Sequence, residues 1–94
     1  MRLIISPRAR GRLQSIEAYI AEYDPSTARR TTQSIRQVIE MLAEFPSLGP
    51  PWNDTQTRAI TVTGLPYRIH YLIDERRDEV RIITVAHVRQ RPPI

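Results

Sequence analysis

The sequence predicts an α+β fold in the order β-α-α-β-β-β, a helical hairpin packed on one face of a small antiparallel sheet. Three observations lead there. Ser6-Pro7 and Asp24-Pro25 each join a capping residue to a proline suited to the first helical position. Each pair opens a run whose apolar residues recur at helical spacing. The last third of the chain instead alternates apolar and polar residues with a period of two.

Arg2 to Ser6 reads as a short strand. Ala9, Leu13, Ile16, Ile20 and Tyr23 then mark the buried stripe of a first helix. Ala28, Thr32, Ile35, Val38, Ile39, Leu42 and Phe45 mark that of a second, which Pro46 stops. So short a link makes the two helices an antiparallel hairpin. The segment from Pro46 to Asp54 is a loop by composition, with Trp52 expected to cap the edge of the core. Strands follow over Thr57–Thr63, Tyr67–Ile73 and Val80–Val88, separated by the Gly64-Leu65 turn and the charged turn Asp74–Glu79.

Pairing Ile73 with Val80 sets Tyr71 opposite Ile82, Ile69 opposite Thr84 and Tyr67 opposite Ala86. Ile60 and Val62 join that apolar side, which should pack on the helices. The reverse side then holds Ala59, Thr61, Arg68, His70, Leu72, Arg81, Ile83, Val85, His87 and Arg89. A slip of one residue would exchange the faces and bury three arginines. A cationic face of this kind must meet water, an acidic partner or nucleic acid. Its aliphatic residues Leu72, Ile83 and Val85 suit cover by an amphipathic segment.

Ninety-four residues fit one domain spanning residues 1–94. With no cysteine there is no disulfide, no thiolate nucleophile and no zinc-finger pattern, which suits a reducing cytoplasm. Two histidines make a poor start for a metal site, and no cofactor motif is present. No stretch approaches the roughly 20 apolar residues of a membrane span. The formal charge is +4, and all 14 basic residues are arginine. The chain therefore has no lysine amine to serve as a base, but many groups suited to carboxylate or phosphate. Arg8, Arg10 and Arg12 are expected on the solvated face of the first helix. Tyr67 and Tyr71 are expected to pack rather than stack on bases, and His70 to be a partly exposed sheet residue.

Four segments together resemble the ParE/RelE superfamily of bacterial toxins from type II toxin–antitoxin systems. They are Ala9-x-x-x-Leu13-x-x-Ile16-x-x-Tyr19-Ile20, Leu42-x-x-Phe45-Pro46-x-x-Gly49, Pro66-Tyr67-Arg68-Ile69-x-Tyr71 and Val85-x-His87-x-Arg89. The likeness runs over essentially the whole chain. It implies a toxin neutralised in a hetero-oligomer by a cognate ParD-like antitoxin. RelE-like members cut mRNA in the ribosome, whereas ParE-like members inhibit DNA gyrase and cut nothing. The resemblance to nucleases carries a phosphate-binding role onto Arg68, and His87 could titrate near neutrality. The nucleases also use second-strand lysines or a carboxylate and a tyrosine or histidine near the C-terminus; here lysine is absent, no tyrosine follows Tyr71, and the His-x-Arg ending is ParE-like. The expected reading is a gyrase inhibitor with no catalytic residue. Its docking surface for target or antitoxin is Arg68, His70, Leu72, Arg81, Ile83, Val85, His87, Arg89 and Arg91. The alternative is a ribosome-dependent endoribonuclease using Arg68 and His87.

Overall fold

Both proline-marked helices form where the sequence places them. In the computed structural model, which describes residues 1–53 and 56–90, strand β1 covers Arg2–Ile5 and helix α1 Pro7–Ala21. Helix α2 covers Pro25–Glu44, and strands β2, β3 and β4 cover Arg58–Thr61, Tyr67–Asp74 and Glu79–His87. The Ser6 hydroxyl accepts from Ala9 N–H at 3.0 Å, and an Asp24 carboxylate oxygen accepts from Ser26 and Thr27 N–H. Each proline follows its cap, where its missing N–H costs nothing. α1 ends at Ala21, so Tyr23 lies beyond it and is exposed. Phe45 is the non-helical cap of α2 (φ −126°, ψ 71°) and turns outward, leaving the stripe it was expected to join.

The sheet order is β1-β4-β3-β2. The β3 and β2 pairings are antiparallel. β1, which precedes the helices, pairs parallel with the last strand β4, which makes the sheet mixed. The helices cover one face. Leu13, Ile35, Ile39 and Leu42 meet Ile69, Tyr71, Val80, Ile82 and Val85 there, all at most 1% exposed. Burial of each such side chain contributes about 1.5–3 kcal/mol before entropy is counted.

The register departs from expectation at one point. Ile73 does pair with Val80, and Tyr71 with Ile82. Between Tyr71 and His70 the ladder shifts, so that His70 pairs with Thr84, Ile69 with Val85, Arg68 with Ala86 and Tyr67 with His87. Ile83 is the extra residue of a β-bulge. Such an insertion reverses the facing of every later residue on its strand. Val85 therefore enters the core, and His87 moves to the helix side.

The reason lies at the strand's other edge. β1 stops at Ile5 while β4 runs on to His87, so carbonyls of β4 lose their ladder partner. The start of α1 supplies donors instead. Ser6 N–H reaches Ile82 O at 3.1 Å, the Ser6 hydroxyl reaches Ile83 O at 2.7 Å, and Arg12 Nε–H reaches Val85 O at 3.1 Å. Arg12 is thus half-buried, not part of a solvated face.

Candidate functional site

The bulge divides the expected docking residues between two surfaces. On the face away from the helices lie Arg68, His70, Leu72 and Arg81, which alternate along β3 or pair with it. Leu72 and Arg81 are partly exposed neighbours, and Arg81 Nη1 donates to the buried Glu79 carboxylate at 3.1 Å. The same carboxylate also binds Arg2 at 2.9 Å.

His70 is fully buried on that face, a correction to the exposed position expected for it. Its cover comes from the loop after α2. Tyr71 OH donates to Pro46 O at 2.7 Å and accepts from Gly49 N–H at 2.9 Å, while Arg58 Nη1 donates to Gly49 O at 2.7 Å. These bonds hold the loop on the helix side. The chain then runs along β2, where Ala59 N–H donates to Pro50 O at 3.1 Å and Trp52 N–H to Thr57 O at 2.9 Å. It delivers Trp52 to the far face. The indole meets the His70 ring edge-on at 5.2 Å between centroids, and the Arg68 guanidinium lies 4.6 Å from the indole centroid. Loss of water, and then the Arg68 charge, hold the His70 pKa below its ordinary value. Burial pushes the Tyr71 hydroxyl up.

The helix side carries a second feature, an open groove of about 490 Å³ between α1 and the end of β4. Arg12, Tyr19, Tyr67, His87 and Gln90 line it. His87 stands edge-on to Tyr67 at 5.7 Å, and its Nδ1 accepts from Arg89 N–H at 3.1 Å. The neutral ring therefore carries its proton on Nε2. Gln90 Oε1 accepts from both Arg12 Nη2 (2.8 Å) and His87 N–H (3.0 Å), which ties the end of β4 to α1. Burial raises the Tyr67 hydroxyl pKa.

Of the nine residues expected on one surface, Val85 is wholly in the core and His87 faces the groove. Both are displaced by the one-residue bulge. Ile83 is the bulged residue and partly exposed, Arg89 is exposed just beyond β4, and Arg91 lies outside the described residues. Arg68 and His87 occupy opposite faces and do not come together. Arg12, Tyr19 and Gln90 were not among the expected site residues. Arg12, Ser15, Ile16 and Tyr19 do share one helix face by their spacing of three and four, a signal that could have marked the groove wall.

Chemically, these surfaces offer cations, hydroxyls and aromatic rings. Among the described residues no cluster of three or more histidines and carboxylates could hold a metal ion. No described helix is long and apolar enough to cross a membrane.

Comparison with known proteins assigns this arrangement to a family. The model of the ParE toxin of type II toxin–antitoxin systems (parDE) matches residues 3–92. The chain is 38% identical over 86 residues to a protein of Sinorhizobium fredii (strain NBRC 101917 / NGR234) named "Putative toxin Y4kP", covering 92% of this chain and 86% of that one. Its fold is similar to that in the chromosomal ParDE system of P. aeruginosa (TM-score 0.80, 20% identity, 93% and 95% of the two chains covered). It is also similar to that in the intact E. coli RelBE toxin–antitoxin complex (TM-score 0.69, 13% identity, 95% and 98% covered). On the family match and the Sinorhizobium relative, the chain belongs to the ParE toxins of type II toxin–antitoxin systems.

Proposed function

We propose that this toxin acts by binding, with DNA gyrase in the cytoplasm as its target and a ParD-like antitoxin as its neutralising partner, and that it cleaves no RNA. One observation carries the reading: the bulge at Ile83 sends Arg68 and His87 to opposite faces of the sheet. Cleavage of RNA through its 2′-hydroxyl needs a base, an acid and a cation around one phosphate. Arg68 rests on Trp52, His70 is sealed beneath that indole, and no lysine exists to complete such a set. What the two surfaces supply is recognition. The Arg68–Leu72–Arg81 face mixes cation and aliphatic surface suited to an acidic, amphipathic segment, and the Tyr19–Tyr67–His87 groove offers donors between aromatic walls.

The test uses the purified chain with purified gyrase and, in parallel, an mRNA in a translation extract. Supercoiling is expected to stop at stoichiometric toxin while the message stays intact. Undiminished supercoiling at excess toxin would overturn the reading. New RNA ends that disappear in Arg68→Ala would replace it with the ribonuclease.

A further inference from the structure

His70 is the chain's most anomalous polar group. Its ring is fully buried, and neither imidazole nitrogen has a hydrogen-bond partner among the described residues. Buried polar groups are ordinarily satisfied, and an unsatisfied one in a native fold asks for an explanation. The pattern around it is specific. Ala59 from β2 and Thr84 from β4 flank the ring within the sheet, both buried. Trp52 covers it from the loop, and Arg68 lies against Trp52 in turn.

We propose that Trp52 and His70 form a proton-sensitive strap, in which neutral His70 lets the indole close over it with Arg68 held on top, and protonated His70 expels the indole and frees Arg68. The argument is electrostatic. An imidazolium has two N–H donors, and the described residues around this ring give it no acceptor. Its burial carries a desolvation penalty that the neutral ring escapes. The charged groups facing it make matters worse. On β3 the nearest is Arg68, itself a cation. On β4 it is Arg81, already engaged with Glu79. The carboxylates of Asp74 and Glu79 lie two cross-strand pairs further along the face. β2 contributes Ala59 and Thr61 to this face, and residues 50–52 of the loop contribute no charge. The indole already carries one guanidinium. The charged ring therefore gains most by reaching water, and the part of its cover that can swing aside is the Trp52 side chain, since the backbone at Pro50 and Trp52 is bonded to Ala59 and Thr57.

Histidine is the side chain suited to such a switch near neutral pH. Arg68 would then be held against the indole above the transition and released from it below. This holds whichever target the toxin binds, because it concerns only contacts within the chain.

Trp52 is the only tryptophan, so its fluorescence reports the strap directly. The full chain is titrated from pH 8 to 5, with far-UV circular dichroism followed alongside. The emission maximum is expected to shift to the red with a midpoint below about 6.5, the ordinary histidine value, while the dichroism holds steady. His70→Phe should abolish the shift, and His87→Gln should keep it. Because His70→Phe could disturb folding, the Cε1–H resonance of His70 is also followed by NMR in His87→Gln, where it is the sole histidine. Its midpoint must coincide with that of the emission. Flat emission, a shift retained in folded His70→Phe, separate midpoints, or emission that moves only as dichroism is lost would each overturn the proposal.

Discussion

The Ser6 hydroxyl donates to the carbonyl of Ile83 at 2.7 Å while accepting from Ala9 N–H at 3.0 Å. One side chain thus caps α1 and satisfies the bulged residue of β4. This bond connects the first helix to the facing of His87, since the bulge determines which residues of β4 look inward.

Ser6→Ala removes both interactions. Loss of a serine cap and an unsatisfied carbonyl together should cost about 2 kcal/mol, or roughly 10 °C in Tm for a domain of this size. Ser6→Asp restores an acceptor for Ala9 N–H but sets a carboxylate against Ile83 O. It should recover little of the loss. Thermal unfolding of the three proteins checks this, and an Asp variant as stable as the parent would show that the bond to Ile83 contributes nothing.

Burial with no hydrogen-bond partner among the described residues makes His70 an acid-labile element. Its folded-state pKa is depressed, so the unfolded chain takes up a proton at a higher pH than the native one. The stability linked to neutral His70 is complete above the ordinary histidine value of about 6.5 and is lost as pH falls from there through the lowered native value. Thermal unfolding at pH 7.5, 6.5 and 5.5 should give a falling Tm, with a flatter profile in His70→Phe over the same interval. Parallel profiles would assign the acid loss to other groups.

Gly49 is fixed by space rather than by φ. A Cβ there would lie 2.8 Å from Ala59 O, 3.0 Å from Ala59 C and 2.9 Å from Tyr71 OH. Two of these are backbone atoms in β2 and cannot swing aside. Gly49→Ala should therefore cost about 3 kcal/mol, comparable with Tyr71→Phe, which leaves two groups, Gly49 N–H and Pro46 O, without their partner at about 1–3 kcal/mol each. Urea unfolding of both variants tests these magnitudes. Since these contacts hold the loop that delivers Trp52, each variant should also shift Trp52 emission to the red at neutral pH.

Much of this was readable along the chain, and the misreadings share a cause. The helices came from capping chemistry and spacing that act within a few residues, and Ser6-Pro7 and Asp24-Pro25 behave as those local rules require. The strands came from alternation, and Ile73–Val80 and Tyr71–Ile82 pair as expected. The face assignment failed beyond Ile83 because the rule assumed unbroken alternation. Val80 and Ile82 keep one phase while Ile83 and Val85 keep the other, so the adjacent pair Ile82-Ile83 was the trace of the bulge. Avoiding buried arginines could not reveal it, since Arg68 and Arg81 face the same way in either register. The burial of His70 had no local trace at all. It depends on Tyr71 and Arg58 gripping the loop at Gly49, contacts separated by 22 and 9 residues. Arg12 was misplaced for the same reason, because its partner carbonyl lies 73 residues away on β4.

The separation of Arg68 and His87 makes a quantitative prediction about the site. Residues that act as one catalytic unit are strongly non-additive, so that removing a second costs little once the first is gone. Residues on separate surfaces with no shared partner add within about 0.5 kcal/mol. Arg68 touches Trp52, whereas His87 touches Tyr67 and Arg89, so no partner is shared. If both surfaces meet the target, the loss of gyrase inhibition in Arg68→Ala/His87→Ala should equal the product of the losses in the single variants. The measurement is the toxin concentration that halves supercoiling, taken for the parent, both single variants and the double variant. A double variant no weaker than the weaker single one would mean that the two side chains converge on one chemical event, which the opposed faces of β3 and β4 do not allow without rearrangement of the bulge.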